Sequence, residues 1–251
     1  MESHVRALSI FLPAHNEADN LERTVKSAIT ALEHLEIPAV EVIVVDDGST
    51  DDTGDIADAL AASDARIRAV HHPTNRGYGA ALKSGFAEAR RDWVFYTDSD
   101  GQFDVGDIHL LLTYAGDYDA VVGYRTRRSD HAIRKLNQAL WSWLVRRVLG
   151  IDSRDVDCAF KLIRRTSLER IGPLVSDGAV ISAELLVKLE RSGARVKQVG
   201  VPHYPRVAGK PSGGDLRVIA RAFRELFRLR RTLRASSPTR SRVPASEPTS
   251  S

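Results

Sequence analysis

Two acidic side chains, Asp98 and Asp100, follow directly on the apolar run Trp93-Val94-Phe95-Tyr96, within Thr97-Asp98-Ser99-Asp100-Gly101-Gln102. A short apolar run bounded by turn residues reads as a buried strand, which puts both carboxylates at its end. With a turn between them they can face one cation, and hard carboxylate oxygens suit Mg²⁺ or Mn²⁺. Such a cation commonly shares its coordination with substrate phosphates. A second acidic strand end lies upstream, where Val42-Ile43-Val44-Val45 runs into Asp46-Asp47-Gly48-Ser49. Two such ends in one chain point to a nucleotide and a metal along one sheet edge.

Other segments carry potential chemistry. The first apolar run closes in Leu12-Pro13-Ala14-His15-Asn16-Glu17. Glu17 reads as an acidic helix start or, with Pro13 and Asn16, as a wall of the nucleotide pocket. One carboxylate of the Asp46-Asp47 pair can accept a hydrogen bond from a base or ribose, while Ser49 and Asp51 cap the next helix. Asn75-Arg76-Gly77-Tyr78-Gly79 opens a helix bearing Lys83, and amides at such a start can meet a diphosphate. The P-loop ending and the third glycine of the dinucleotide fingerprint are both missing, which demotes those two classes. Asp155 and Asp157 read as groups orienting a sugar hydroxyl or a basic residue, or as a solvated loop. His71 and His72 read as structural, and Cys158 as a small packed residue.

The elements that must position these groups follow from the pattern. A chain of 251 residues, 43% hydrophobic, can bury one good core. Apolar runs over 7–13, 40–46, 67–71, 93–98, 119–124, 158–163 and 196–201 read as strands. Helical patterns over 17–36, 53–62, 78–89, 105–114, 134–149 and 181–192 alternate with them, which predicts an α/β fold. In open sheets of that kind ligands bind at the C-terminal strand ends. The expected organisation is one catalytic domain over 1–213, a basic helix over 214–234, and a disordered Ser/Pro/Thr-rich tail over 235–251.

The segment 217–234 sets seven arginines against one acidic residue, Glu225, although the whole chain carries a net charge of only +3. Val218, Ala222, Leu226, Leu229 and Leu233 recur at helical spacing. Such a helix can lie on an anionic bilayer, with Trp141 and Trp143 as interfacial anchors. It can equally dock on the protein core with a solvated arginine face. Nucleic acid is not an expected partner, because no recognised motif accompanies the charge. The first residues lack the basic and apolar regions of a signal peptide, and no run approaches the roughly 20 apolar residues of a spanning helix. A lone cysteine forms no internal disulfide. The expectation is a cytoplasmic protein, peripheral at the membrane face.

The order Leu-Pro-Ala-His-Asn-Glu, Val-Val-Asp-Asp-Gly-Ser, Asn-Arg-Gly-Tyr-Gly-Ala-Ala-Leu, Asp-Ser-Asp-Gly-Gln-Phe resembles the family 2 nucleotide-sugar glycosyltransferases. Within them it is most similar to the polyprenyl-phosphate (dolichyl-phosphate) sugar synthases. Val-Val-Gly-Tyr-Arg at 121–125, Asp-Val-Asp-Cys-Ala-Phe-Lys-Leu at 155–162, Ser-Ala-Glu-Leu-Leu at 182–186 and the stretch 201–210 extend the match over 7–215. The resemblance implies a GT-A fold: a Rossmann-like, mixed but mostly parallel sheet flanked by helices, one domain with a C-terminal basic amphipathic helix. It implies inverting transfer of a hexose from a nucleotide sugar, GDP-mannose favoured over a UDP-hexose, to a polyprenyl phosphate. Asp98, Asp100 and Gln102 would hold Mg²⁺ or Mn²⁺, with Asp100, Arg125 and Asp157 closest to the chemistry. Pro13, Asn16, Glu17, Asp46 and Asp47 would hold the nucleoside. Arg125, Arg134, Arg206 and Lys210 would bind the acceptor phosphate, since Arg forks match phosphate oxygens. Asp155 and Glu184 join the substrate-binding set through their family counterparts, although Glu184 on its own reads as an ion-pair partner. Two alternatives stay open: a saccharide or other soluble acceptor with a UDP-sugar donor and Asp155 or Asp157 as base, and a non-catalytic nucleotide-sugar-binding protein.

Overall fold

A computed structural model describes residues 5–126, 132–178, 180–206 and 216–235; the side chains of 132–139, 216–222, 234 and 235 are not described. Seven strands form one sheet: β1 (Ala7–Ala14), β2 (Ala39–Asp46), β3 (Ile67–His71), β4 (Trp93–Thr97), β5 (Ala120–Arg125), β6 (Phe160–Arg164) and β7 (Val196–Val201). Their spatial order is β3-β2-β1-β4-β6-β5-β7. β1, β2, β3 and β4 run parallel, β6 runs antiparallel to both β4 and β5, and β7 is parallel to β5. One reversed strand therefore sits in an otherwise parallel sheet, the mixed, mostly parallel arrangement of the GT-A fold.

The central strands are nearly continuous apolar runs because both sheet faces are covered. On one face α1 (Ala18–His34) lays down Leu21, Val25, Ala28 and Leu32 against Leu8, Ile10, Val42 and Phe95. On the other, α3 (Tyr78–Glu88) and α7 (Ile181–Arg191) cover Phe11, Ile43, Val94 and Tyr96. A third cluster joins α5 (Ala132–Leu149), α7 and α8 (Leu216–Ala235) through Val145, Leu149, Leu186, Leu226, Leu229 and Leu233. α2 (Thr53–Ser63) completes the β2–β3 crossover, and α6 (Arg165–Ile171) follows β6 directly. The stretch expected as one helix over 105–114 is a 3₁₀ turn, Val105–Ile108, followed by the single turn α4, His109–Leu112.

The loops after β1 and β2 are laced together, and this fixes the sheet edge. The first N–H groups of a helix have no partner within it. Here Asn16 N–H donates to Ser49 Oγ, Glu17 N–H to Thr53 Oγ1 and Ala18 N–H to Asp51 Oδ2. Asn16 adopts φ +56°, a conformation Asn tolerates better than most side chains. Its Oδ1 accepts the Thr50 N–H at 2.8 Å.

Candidate active site

A cleft of about 640 Å³ opens at the C-terminal ends of β1, β2 and β4. Pro13, His15, Asn16 and Glu17 form one wall; Asp47, Asn75, Gly77 and Tyr78 form another; Asp98, Ser99 and Asp100 form the floor, and Arg206 overhangs it. Ser99 Oγ donates to the Pro13 carbonyl at 2.8 Å, which locks the two strand ends together. The strand-end carboxylates therefore meet in one place, although 51 residues separate Asp47 from Asp98 in the sequence.

The floor is electrostatically unbalanced. Burial, and then Asp100 beside it, push Asp98 up to about 7 from an ordinary 3.8. Burial raises Asp100 too, with Glu17 adding to it and the Gln102 amide and Arg206 opposing it. Like charges in a shared, desolvated site disfavour joint ionisation. Two oxygen donors in this condition fit a hard divalent cation, which would relieve both. Among the described residues no group of three or more His, Cys, Asp or Glu side chains is placed to hold a metal ion by itself. A cation at Asp98 and Asp100 would share its remaining positions with substrate oxygens, as Mg²⁺ sites commonly do. Gln102 lies beside them; its N–H donates to Asp100 Oδ1 at 3.0 Å and its side-chain amide reaches the Tyr204 carbonyl at 3.4 Å.

Arg206 bridges the wall and the floor. Its Nη2 donates to Glu17 Oε1, and its Nη1 lies 3.9 Å from Asp100 Oδ2. Glu17 also accepts from Asn20 Nδ2 at 2.8 Å. Glu17 does begin α1, but its side chain makes no cap bond and instead belongs to the cleft.

Other expected residues stand elsewhere. Asp46 points away from the cleft; Burial works to raise it, but Ser49 and His71 outweigh that and hold it low. Its Oδ1 accepts Ser49 N–H at 3.0 Å, and its Oδ2 lies 3.1 Å from His71 Nδ1. Of the pair, Asp47 faces the cleft. Lys83 does not line the cleft, and its Nζ pairs with Asp177. Glu184 does not line the cleft: its buried carboxylate accepts Val175 and Ser176 N–H groups and Lys188 Nζ. Lys188, not an arginine, is its counter-ion. Arg125 holds Asp155 in a bidentate pair, Nε and Nη2 each at 2.7 Å. Lys210 lies outside the described residues; Arg134 falls in α5, with its side chain outside them.

Asp157 does not line the cleft and sits among Asp155, Lys161, Arg125 and Trp141. Burial and Asp155 raise it, against Lys161, Arg125 and the Trp141 indole. Lys161, on β6, is fully buried. It caps the Val156 and Cys158 carbonyls and lies 5.5 Å from the Tyr96 ring centre. Its charge and that of Arg125 favour ionised Asp98. His72 holds Asp47 Oδ1 at 2.6 Å and sits 2.8 Å from Ser84 Oγ. Cys158 is fully buried and burial drives its thiol up to about 12, so it is no nucleophile at neutral pH.

Three sequence features could not have announced these partners. Lys161 interrupts an apolar strand, Tyr78 sits among glycines, and Trp141 reads as an interfacial anchor.

Comparison with known proteins agrees with this geometry. Over 207 residues the chain is 37% identical to Glycosyltransferase AglD of Haloferax volcanii, covering 79% of this chain and 33% of that protein. It is 29% identical over 222 residues to an undecaprenyl-phosphate mannosyltransferase of Micrococcus luteus, covering 84% of this chain and 89% of the relative. An undecaprenyl-phosphate 4-deoxy-4-formamido-L-arabinose transferase of Pseudomonas fluorescens is 32% identical, over 66% of this chain and 49% of its own length. The chain thus spans a third to a half of two of these relatives. Among solved structures, glucosyl-3-phosphoglycerate synthase of Mycobacterium tuberculosis with phosphoglyceric acid superimposes with a TM-score of 0.67 at 23% identity, over 89% of this chain and 80% of that one. The same enzyme with Mn²⁺, uridine diphosphate and glucosyl-3-phosphoglycerate gives 0.61 at 23% identity, over 92% and 78%. At that identity the likeness speaks to the fold. The model for "Glycosyl transferase family 2" matches residues 9–172, a stretch holding both acidic strand ends, and the chain belongs to that glycosyltransferase family.

Proposed function

We propose that this glycosyltransferase moves a hexose from a nucleoside-diphosphate sugar to a polyprenyl phosphate, with Mg²⁺ or Mn²⁺ at Asp98 and Asp100. The observation that carries the reading is the convergence of Asp47, Asp98, Asp100 and Arg206 on one cleft at the sheet's C-terminal edge. The wall from Pro13 to Glu17, with Asp47, faces the nucleoside. Asp98 and Asp100 would hold such a cation, which would supply Lewis-acid neutralisation of charge on the departing diphosphate. Arg206 stands ready to exchange its Glu17 partner for a phosphate oxygen. A lipid phosphate is already anionic at neutral pH, so its oxygen attacks the anomeric carbon without a strong base, and in-line displacement inverts that carbon. Arg125, Arg134 and Lys210 complete the cationic set for the acceptor. GDP-mannose is the favoured donor on the family resemblance, and the mannosyltransferase name of the Micrococcus relative supports the sugar.

The same reading places the protein at a membrane surface. No helix among the described residues is long and apolar enough to cross a membrane. However, Leu140 and Trp143 on α5, and Phe223 and Phe227 on α8, are exposed large apolar side chains. They adjoin the edge-on contact of Trp141 with Phe223, ring centres 5.5 Å apart. Arg147, Arg224, Arg228 and Arg231 are exposed nearby on the same two helices. Apolar wedges beside arginines suit an anionic bilayer.

The deciding experiment incubates the protein with Mg²⁺ or Mn²⁺, a short polyprenyl phosphate and a panel of labelled nucleotide sugars, then counts label in the organic phase. Label from one donor, abolished in Asp100→Ala, is expected. A second reading turns on Asp157, whose carboxyl burial and Asp155 push up, the direction a general base requires. That suits a hydroxyl acceptor. Label passing only to a soluble saccharide, and lost in Asp157→Asn with donor binding intact, selects it over the lipid.

A further inference from the structure

The glycine-rich turn at 75–79 has a different job from the one its composition suggests. Three of its amides are already engaged within the protein. Arg76 N–H donates to Asp47 Oδ1 at 3.0 Å, Gly77 N–H to Asp47 Oδ2 at 2.8 Å, and Gly79 N–H to the Asp177 carbonyl at 2.9 Å. The glycines serve close packing. Gly77 has φ +94°, and a Cβ on Gly79 would come within 2.5 Å of the Asp177 carbonyl carbon. Asp177 is itself fixed, because its loop hangs on the fully buried Glu184 carboxylate through Val175 and Ser176 N–H. The turn is thus clamped from Asp47 on one side and from the Glu184 loop on the other.

What the clamped turn delivers is the Tyr78 side chain. Its phenol lines the cleft and donates to Asp98 Oδ1 at 3.0 Å. We infer that Tyr78 is a positioning residue for Asp98: by occupying Oδ1 it turns Oδ2 toward the cation and makes Asp98 a one-oxygen ligand. This rests on the two-carboxylate metal site proposed above. A phenol has a single O–H to give, and its hydrogen bond to Oδ1 restrains rotation of the carboxylate and favours Oδ2 as the metal-facing oxygen. Partners that orient a metal ligand from behind typically matter roughly 10- to 100-fold in metal affinity. His72 plays no such part, since it holds Asp47.

The test is Tyr78→Phe, which keeps the ring and removes only the hydroxyl. Mn²⁺ binding is measured calorimetrically and by electron paramagnetic resonance, with nucleoside diphosphate present, alongside the melting temperature. The expected result is Mn²⁺ affinity weakened roughly 10- to 100-fold, with a nearly unchanged melting temperature and a larger effect on the metal concentration giving half-maximal rate than on kcat. Glu184→Gln is the second variant. It loosens the clamp without touching the cleft, and is expected to weaken Mn²⁺ in the same direction by a smaller factor. Wild-type Mn²⁺ affinity in Tyr78→Phe overturns the inference, and so does a fall in melting temperature with affinity unchanged. Absence of Mn²⁺ binding in the unaltered protein overturns the metal site itself and the inference with it, so the two failures are distinguishable.

Discussion

Asp98 near pH 7 has consequences that reach beyond the cleft. Its folded-state value lies above the ordinary 3.8 because burial and Asp100 oppose its charge. A raised carboxyl binds its proton more tightly when folded than unfolded. Its contribution to stability is therefore complete below about pH 4 and is lost as pH rises toward 7. Metal-free protein is expected to melt at lower temperature at pH 8 than at pH 5 on this account. Asp98→Asn should flatten that dependence and melt higher than the unaltered protein at pH 8, while losing transfer activity. Equal pH profiles for the two proteins in chelator would show that Asp98 carries no such strain. Mn²⁺ should restore the melting temperature of the unaltered protein at pH 8 and do nothing for the variant. Arg125 and Asp155 make the opposite kind of pair, with side-chain exposures of 11% and 3% and two short bonds. Removing one partner of a buried pair typically costs about 3–5 kcal/mol. Arg125→Gln should lower the urea midpoint accordingly, and an unchanged midpoint would show that the pair is not a structural strut. Carboxylates at strand ends are legible in a sequence because apolar runs announce the strand. Their keepers are not: Tyr78 and Lys161 come from other elements, and only folding brings them to Asp98 and Asp157.

At the scale of elements, most strands and helices were legible within a residue or two, because the sheet is buried on both faces and its strands are plain apolar runs. The exceptions have physical causes. Over 105–114 the periodicity suggests one helix, but Asp104 accepts the Gly106 N–H and glycine is a weak helix former. A 3₁₀ turn and a single α turn result. α6 was invisible because it is short and starts on the residue after β6, with no loop signal between them. The reversal of β6 leaves no mark on an apolar run at all, since strand direction is set by connections. α8 docks on the core, one of the two alternatives its pattern offered, and leaves an aromatic face outside for the proposed membrane contact. Leu226, Leu229 and Leu233 are buried against α5 and α7, and the Arg191 guanidinium bonds the Leu233 carbonyl at 2.7 Å. Phe223 and Phe227 remain outside. The two faces can be separated by mutation. Leu229→Ala leaves a cavity and should cost about 2–5 kcal/mol, whereas Phe227→Ala should leave the melting temperature almost unchanged and reduce sedimentation with anionic vesicles. Loss of vesicle binding in Leu229→Ala alone, with Phe227→Ala still bound, would mean that the exposed aromatic face does not touch lipid.

Across the whole molecule, charge and chemistry are distributed unevenly. The N-terminal half builds most of the cleft from strand ends and closes it with hydrogen bonds among its own loops. The later half brings Arg125, Asp157 and Arg206, together with the arginine-rich α8. That polarity suits a transferase whose donor is water-soluble and whose acceptor is held in a bilayer. A net charge of only +3 gives weak long-range attraction, so the proposed membrane binding would have to come from local contacts at the α5–α8 face. Juxtamembrane basic residues contribute about 1 kcal/mol each near an anionic surface, within a Debye length of roughly 8–10 Å at ordinary ionic strength. Replacing Arg224 and Arg228 with Glu reverses two exposed charges on α8 without disturbing its leucine face. The double variant should lose binding to anionic vesicles and become indifferent to salt, whereas binding of the unaltered protein should fall as salt rises. Its transfer to acceptor embedded in those vesicles should drop in parallel, while transfer to a short, detergent-dispersed polyprenyl phosphate should not, because the cleft is untouched. Equal losses on both acceptors would instead place these arginines at the acceptor phosphate, and the α5–α8 face would then belong to the active site and not to a docking surface.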